Sequence, residues 1–261
     1  MKRLMLSILL MLNCSAQART IWVLIHGTWG VDSAWYLPGG DFFQQCKESI
    51  QLYDNQYCIS FTWSGKNCHD ARLRGAQQLC ALLQSYSPKT TFLLVAHSHG
   101  ANVAFLASQL LAEQATHKIE TIFALGAPIN TEWYAPNMEI VANVFNFFSL
   151  RDLVQPVFGM FERQITNHER IANIRVLVDD KQPMHSGLHA PEIGKWLPHL
   201  QTQHRQITLE GERFDMSIPM LMKFTMESYP VSEVDVNRRV LIEKDYENQN
   251  ETIINYSGSE V

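Results

Sequence analysis

The chain has 261 residues, of which 46% are hydrophobic and 18% charged, the composition of a folded globular protein rather than a disordered or fibrous one. Lys and Arg number 21 against 26 Asp and Glu, for a net charge of -5 without any basic block, which excludes a phosphate-tracking nucleic-acid binder. Beyond the first few dozen positions no run of roughly 18 apolar residues occurs, which excludes a multi-span membrane protein.

The first 18 residues have the pattern of a secretory signal peptide. Two basic residues precede an apolar run from residue 4 to 12, and Ala16-Gln17-Ala18 has the small-x-small pattern of a cleavage site. We therefore expect export, to the periplasm or out of the cell. A lipoprotein anchored through Cys14 is the less favoured alternative, because Asn13 stands where lipid-attachment sites carry a small residue.

Downstream of residue 19, short apolar runs alternate with amphipathic segments. This alternation predicts an α/β fold with a mostly parallel central sheet and helices on both faces. Strands are expected at residues 21–25, 57–63, 92–96, 121–125, 144–149 and 174–178, and helices at 71–86, 101–115 and 191–200. Residues 29–45, rich in aromatics and glycine, are predicted as a loop.

The pattern changes near residue 204. Residues 19–204 are predicted to form the catalytic domain described below, whereas residues 205–261 have mixed charge and only short alternating pieces. We interpret 205–261 as a C-terminal extension of peripheral strands or partly disordered chain.

Four cysteines remain after the leader: Cys46, Cys58, Cys68 and Cys80. An even number in an oxidising compartment predicts two disulfides, for which three pairings exist. The alternative for Cys80 is a buried position on the apolar face of the helix predicted at 71–86.

The motif Ala96-His97-Ser98-His99-Gly100 follows an apolar strand and precedes an apolar helix. Small residues two before and two after Ser98 allow a sharp strand-to-helix turn that projects the hydroxyl into a cleft, the arrangement of a nucleophilic serine. Ala96 replaces the first glycine of the usual G-x-S-x-G pattern. Side chains that flank such a turn point away from the serine, so neither neighbouring histidine is expected to be its base. The alternative is a structural serine in a tight connection.

Two backbone amides are candidates for an oxyanion hole. His99 follows the serine directly, and Thr28 lies in the glycine-containing turn Ile25-His26-Gly27-Thr28 after the first strand. A tetrahedral intermediate of acyl transfer needs such donors because its negative charge develops in a site without water. We therefore assign the backbone N–H groups of Thr28 and His99 to this role.

A serine nucleophile needs a base, and the base needs a carboxylate that fixes its tautomer. Asp152 follows the strand predicted at 144–149 and is the predicted acid, with Asp179 and Asp180 in reserve. The predicted base is His185, in the loop after the last strong strand, and His189 is the alternative, because spacing does not orient an imidazole.

Together these motifs resemble the α/β-hydrolase superfamily, in particular its bacterial lipase- and esterase-like serine hydrolases. The resemblance covers most of residues 20–200 and rests on His26-Gly27-Thr28, Ala96-His97-Ser98-His99-Gly100, Leu125-Gly126-Ala127-Pro128, Asp152 and His185. Within the superfamily the chain is similar to bacterial lipase-like proteins with a pattern like Trp35-Tyr36-Leu37-Pro38-Gly39-Gly40 and Trp63-Ser64-Gly65-Lys66-Asn67 with Arg72. The resemblance implies the α/β-hydrolase fold and a serine triad, but no particular substrate.

Apolar residues near these motifs are the predicted substrate-binding residues. Residues 153–170 and 130–139 could each cover the cleft as an apolar flap, which favours acyl chains over sugars or phosphates, or could pack into the core instead. The predicted lining consists of Trp29, Trp35, Tyr36, Phe158 and Phe161.

The sequence thus predicts an exported serine hydrolase that cleaves small-molecule or lipid-like carboxylic esters through Ser98, His185 and Asp152. No metal or organic cofactor and no nucleic acid is expected, no oligomeric state is predicted, and transient contact with a membrane surface stays open. The alternatives are an acyltransferase or thioesterase that uses the same site, and a non-catalytic exported binding protein with this fold.

Overall fold

A computed structural model describes residues 19–114, 117–159, 162–165, 168–209, 220–226 and 252–254 of the chain. The predicted signal peptide lies outside these residues. The strands are β1 (Thr20–Ile25), β2 (Gln56–Phe61), β3 (Thr91–His97), β4 (Ile119–Leu125), β5 (Val141–Phe148), β6 (Ile171–Val178), β7 (Met220–Phe224) and β8 (Thr252–Ile254). The α-helices are α1 (Asp41–Ile50), α2 (His69–Gln84), α3 (His99–Ala112), α4 (Val154–Phe158) and α5 (Pro191–Leu209), and short 3₁₀ helices span Ala34–Tyr36 and His185–His189.

The eight described strands form one sheet in the order β2-β1-β3-β4-β5-β6-β7-β8, and all neighbouring strands are parallel. The predicted parallel sheet is confirmed. The chain passes from β1 outward to β2 and then back to β3, so the order of strands reverses beside β1. In open parallel sheets, ligands bind outside the carboxyl ends of the strands at such a reversal. The topology therefore predicts a site where β1 and β3 end.

Helices cover both faces of the sheet, as predicted. Ile21, Val23 and Ile25 of β1 belong to the apolar cluster formed with α2 and α3, whereas Trp22 and Leu24 belong to the cluster formed with α1 and α5. Because both faces are buried, the central strands are continuous apolar runs rather than alternating ones. Burial of this much apolar surface is the main force that fixes the strand ends and the loops attached to them.

Three helices differ from the sequence expectation, one of them being α4, which lies within the segment 153–170 that was predicted as a possible flap. Helix α1 begins within the predicted loop 29–45, and its Phe42, Phe43 and Ile50 are buried. It begins directly after Gly40, which makes no side-chain cap, so the usual polar N-terminal signal is missing. Helix α5 continues past residue 200 to Leu209, so it also passes through the boundary predicted near residue 204. The division into 19–204 and 205–261 stays a prediction.

The four cysteines are free thiols, which corrects the prediction of two disulfides. Cys80 lies in the cluster on the α2 and α3 face, whereas Cys46 and Cys58 lie on the opposite face of the sheet, and Cys68 is exposed before α2. The thiols of Cys46 and Cys58 contact each other, and this contact, together with burial, raises the pKa of Cys46 well above its ordinary value. Disulfide formation requires a thiolate, so this environment disfavours oxidation.

Candidate active site

Ser98 occupies the junction between β3 and α3 at the carboxyl edge of the sheet. Its backbone has φ 54° and ψ -133°, a strained conformation for a residue other than glycine. Gly27 and Gly100 allow the end of β1 to approach this turn. A Cβ on Gly100 would lie 2.5 Å from the carbonyl oxygen of His26, and a Cβ on Gly27 would lie 2.7 Å from the Cβ of Ser98. The glycines of both sequence motifs are therefore required by close backbone packing.

The structure brings Asp152 and His185 together. Asp152 is fully buried in the loop after β5, and its Oδ1 accepts hydrogen bonds from the backbone amides of Val154 (2.8 Å) and Gln155 (3.2 Å). Its Oδ2 lies 2.7 Å from Nδ1 of His185. Because an ionised carboxylate only accepts hydrogen bonds, this contact places the proton of a neutral imidazole on Nδ1 and leaves Nε2 as a proton acceptor.

His97 joins the serine turn to the turn that carries His185. Its Nε2 lies 3.1 Å from the backbone carbonyl oxygen of His185, and the centres of the two rings are 4.6 Å apart. The described residues show no hydrogen bond between Ser98 and His185; in catalytic pairs this bond is often long until substrate binds. His185 is thus held beside the serine turn from two directions, by Asp152 and by His97.

The alternative acid and base residues lie in other environments. His189 stacks on Trp35 with ring centres 4.9 Å apart, and burial lowers its pKa to about 4. Asp180 is exposed and forms an ion pair with Lys223 at 2.6 Å, and its neighbour Asp179 belongs to the same turn after β6. Of the acids and bases considered in the sequence, only Asp152 and His185 are in contact with each other.

The two predicted oxyanion donors lie at adjacent turns. The N–H of Thr28 makes no hydrogen bond with the described residues, and the N–H of His99 is in the first turn of α3, where no intrahelical acceptor exists. The side chains are bonded to each other, with Oγ1 of Thr28 2.9 Å from Nδ1 of His99. Burial, with smaller effects from the charges of Arg72 and His185, lowers the pKa of His99 to about 3, so its ring is neutral.

His26 and Trp63 support the Thr28 turn and were not singled out as site residues from the sequence. Nε1 of Trp63 donates to the carbonyl oxygen of His26 at 2.7 Å, and the backbone amide of Trp63 donates to Nε2 of His26 at 3.2 Å. The two rings stack at 5.7 Å. Burial lowers the pKa of His26, which keeps it neutral within this network. The motifs His26-Gly27 and Trp63-Ser64-Gly65 were visible in the sequence, but their pairing across 37 residues was not.

The predicted substrate-binding residues differ in exposure. Trp29 is 76% exposed beside the Thr28 turn, whereas Trp35 and Tyr36 are buried and Tyr36 donates to the carbonyl oxygen of Val31. Phe158 of α4 is 42% exposed, and its ring contacts that of His99 edge-on at 5.7 Å. Phe161 lies outside the described residues.

Within the described ranges, no group of three or more His, Cys, Asp or Glu side chains is arranged to hold a metal ion, and none of the helices there is long and apolar enough to cross a bilayer. A surface depression of about 640 Å³ lies at the amino ends of β3, β4 and β5, where Lys89, Lys118 and Arg170 line it. This is the edge of the sheet opposite Ser98.

Comparison with known proteins gives structural likenesses only. No family model and no curated protein matches the chain. Among solved structures it is similar to a protein assigned as a cell surface hydrolase in Lactobacillus plantarum, with 13% identity, coverage of 77% of this chain and 94% of that one, and a TM-score of 0.42. A fungal esterase from Rhizomucor miehei has 8% identity, coverage of 77% and 78%, and a TM-score of 0.42.

A cutinase-like protein from Cryptococcus sp. is 16% identical over 44% of this chain, with a TM-score of 0.33. The match spans only 56% of the length of that protein. All three TM-scores are below 0.5, and these likenesses therefore carry no argument. Two features of the chain itself, the parallel sheet and the serine turn after β3, give the α/β-hydrolase arrangement.

Proposed function

We propose that the protein is a serine hydrolase that cleaves carboxylic esters, with Ser98 as nucleophile, His185 as base and Asp152 as the acid that orients the base. The observation that carries the proposal is the 2.7 Å contact between Nδ1 of His185 and a fully buried carboxylate, next to a serine in a strained strand-to-helix turn. An exposed loop aspartate would have no comparable effect on the tautomer of the imidazole.

The reaction begins when Oγ of Ser98 attacks the ester carbonyl carbon and Nε2 of His185 takes the hydroxyl proton. The negative charge that develops on the carbonyl oxygen is stabilised by the backbone amides of Thr28 and His99. His185 then gives its proton to the departing alcohol, which leaves an acyl group on Ser98. Water, deprotonated by His185, releases the acid and restores the serine.

The proposed substrates are acyl or lipid-like esters, because apolar side chains are exposed around the site. We call six of them the apolar rim: Trp29, Trp133, Leu153, Val157, Phe158 and Met184. All lie in segments that follow the carboxyl ends of β1, β4, β5 or β6, the edge where Ser98 lies. Exposed apolar patches of this kind mark sites for apolar ligands or surfaces. The rim therefore supports acyl-chain binding and transient contact with a lipid surface.

Export through residues 1–18 belongs to the same proposal. A signal peptidase that cuts after Ala18 leaves Arg19 as the first residue of the mature chain. Intact-mass analysis of the protein produced from the full sequence tests this: we expect the mass of residues 19–261, whereas a retained leader or a lipidated Cys14 contradicts it.

The catalytic proposal is tested with Ser98→Ala and a panel of p-nitrophenyl and glycerol esters. We expect turnover to fall by roughly a thousandfold or more while the variant stays folded. Ser87→Ala, at an exposed serine near the opposite edge of the sheet, is the control and should keep full activity. Full esterase activity in Ser98→Ala would exclude the nucleophile assignment, and a ligand-binding function that survives the change would favour the non-catalytic alternative.

The choice of base is tested with a second pair of variants. His185→Ala should abolish acylation, whereas His189→Ala should keep most of it because His189 stacks on Trp35 rather than bonding to Asp152. The reverse result would assign the base to His189. Release of free acid in water, without an added alcohol, separates hydrolysis from acyl transfer.

A further inference from the structure

Arg72 is a buried cation at the carboxyl edge of the sheet that the proposed triad does not use. It lies in the first turn of α2, is 9% exposed, and α2 packs against α3, the helix that begins beside Ser98. Because both helices follow parallel strands, their amino ends lie side by side. Helix amino ends carry partial positive charge, so both helices add positive charge to this edge.

The partners of Arg72 are all neutral. Its Nε donates to the hydroxyl of Tyr134 at 3.0 Å, its Nη1 donates to Oδ1 of Asn67 at 3.2 Å, and the guanidinium lies 5.3 Å from the centre of the Tyr134 ring. The ion pairs found among the described residues do not include Arg72. Burial of a charge without a counter-charge is costly, and proteins normally pair buried arginines with carboxylates.

One amino group of Arg72 is open. Nη2 makes no hydrogen bond with the described residues, yet it is not among the side-chain atoms that are both buried and unpartnered. Its surface is therefore not completely covered, although Arg72 as a whole is only 9% exposed. An arginine held at two of its nitrogens, with a third open, is oriented before a ligand arrives.

The charge of Arg72 is felt at the proposed oxyanion residue. After burial, it is the next largest cause that lowers the pKa of His99 to about 3. His99 is consequently neutral and adds no competing positive charge, and Asp70, the acidic residue in the first turn of α2, is exposed and forms no described ion pair with Arg72. No acidic side chain among the described residues supplies a counter-charge to Arg72, so an anionic group of a ligand can do so.

We propose that Arg72 is the anion subsite of the active site, and that it binds a carboxylate or phosphate group carried by the ester substrate. This inference rests on the proposed ester hydrolase function and narrows its substrates to amphiphilic esters, with an apolar part for the rim and an anionic group for Arg72. Guanidinium groups suit both anions because their N–H donors match paired oxygen atoms.

The test compares matched neutral and anionic esters. On the alcohol side, 4-acetoxybenzoate and 4-acetoxyphenyl phosphate are compared with neutral methyl 4-acetoxybenzoate; on the acyl side, monomethyl glutarate is compared with dimethyl glutarate. We expect kcat/KM for at least one anionic ester to be about ten times that of its neutral partner. Comparison of the two anionic esters on the alcohol side distinguishes carboxylate from phosphate recognition.

The variants are Arg72→Gln, Arg72→Lys and the control Arg74→Gln, an exposed arginine of the same helix. Arg72→Gln should lose the roughly tenfold advantage of the anionic ester while it hydrolyses the neutral ester within about threefold of the original rate. Arg72→Lys should keep part of the advantage, and Arg74→Gln should keep all of it. If Arg72→Gln does not fold, the comparison is made with Arg72→Lys instead. Equal preference in the original protein and Arg72→Gln, or equal loss of both ester classes in a folded Arg72→Gln, would overturn the inference.

Failure of the ester hydrolase proposal would give a different result from failure of the anion subsite. If neither neutral nor anionic esters are cleaved, the hydrolase proposal fails, and the subsite is tested by calorimetric titration of 4-hydroxybenzoate and of inorganic phosphate. Binding of either anion that Arg72→Gln abolishes supports the subsite, and absence of binding to the unmodified protein overturns it.

Discussion

At the scale of single residues, the site depends on hydrogen bonds that fix side chains before any substrate arrives. One oxygen of Asp152 accepts hydrogen bonds from two backbone amides, and the other contacts His185. These contacts fix both the rotamer of Asp152 and its position relative to the imidazole. Such bonds to a charged group are worth about 1.5–3 kcal/mol each. Orientation of His185, the proposed base, is thus part of the fold.

Replacement of Asp152 by asparagine tests this orientation. The substituted side chain would keep the shape but present an amide to His185, which favours the wrong tautomer, so kcat should fall by about a thousand- to ten-thousandfold. Steady-state kinetics with a soluble ester measures the effect. Asp180→Asn, at the exposed ion pair with Lys223, should change kcat by less than about twofold. Near-normal activity of Asp152→Asn would mean that another group orients the base.

Thr28 gives a second prediction at this scale. Its hydroxyl bonds to His99, so Thr28→Val should loosen the two turns that carry the proposed oxyanion amides. Loss of one hydrogen bond of about 1 kcal/mol predicts a fall in kcat of several-fold to tenfold, with KM little changed because the amides act in the transition state. Thr28→Ser should restore activity. Equal effects of valine and serine would show that the hydroxyl has no such role.

Among the secondary-structure elements, the central strands β1, β3 and β4 were predictable because burial on both faces makes them largely apolar runs. The turn at Ser98 was predictable for a related reason, since it follows the most apolar strand directly. Helix α1 was not, because two glycines precede it and no polar side chain caps it. The side chains of His97 and His189 could not be placed, since their partners, the carbonyl oxygen of His185 and the ring of Trp35, are far away in sequence.

The positions of the cysteines in the fold were likewise not predictable from the sequence. Their count and spacing carry no information on which face of the sheet each one occupies, and Cys80 proved to be separated from Cys46 by the sheet itself. Likewise, Arg72 stood in a recognised motif, but its lack of an acidic partner is a property of the folded chain alone. Apart from helix α1, the features that were missed depend on contacts between segments distant in sequence.

Helix α4 is the element on which lipid contact is best tested. Val157 of this helix is 68% exposed, and Leu52, remote from the apolar rim, is exposed to the same extent. Val157→Asp removes apolar surface worth about 1.5 kcal/mol or more from the rim, so apparent KM for emulsified long-chain esters should rise about tenfold. Hydrolysis of soluble p-nitrophenyl acetate should not change, and Leu52→Asp should affect neither substrate. Unaltered kinetics of Val157→Asp on emulsions would remove the rim from substrate binding.

At the scale of the whole molecule, stability should decrease in mild acid because several histidines are buried in neutral form. Burial lowers the pKa of His189 to about 4 and, with a contribution from Arg72, that of His99 to about 3, whereas the unfolded chain titrates near 6.5. The unfolded state therefore binds more protons below that value. The contribution of these two histidines to stability is fully present above pH 6.5 and is lost as the pH falls to about 4 for His189 and to about 3 for His99.

Urea denaturation at about pH 7 and about pH 5 measures this dependence. For each of the two histidines the free energy of unfolding should drop by about 2 kcal/mol between these pH values. His189→Gln should remove its share of the drop. A protein that is equally stable or more stable at the lower pH would contradict the buried neutral state of these residues.

We propose that the fold activates one serine, and intact-mass analysis after treatment with a fluorophosphonate tests this activation. We predict a single adduct, mapped by peptide sequencing to Ser98 and absent from folded His185→Gln. An adduct on a different serine, or no adduct on a well-folded sample, would contradict the assignment of this site as a serine hydrolase centre.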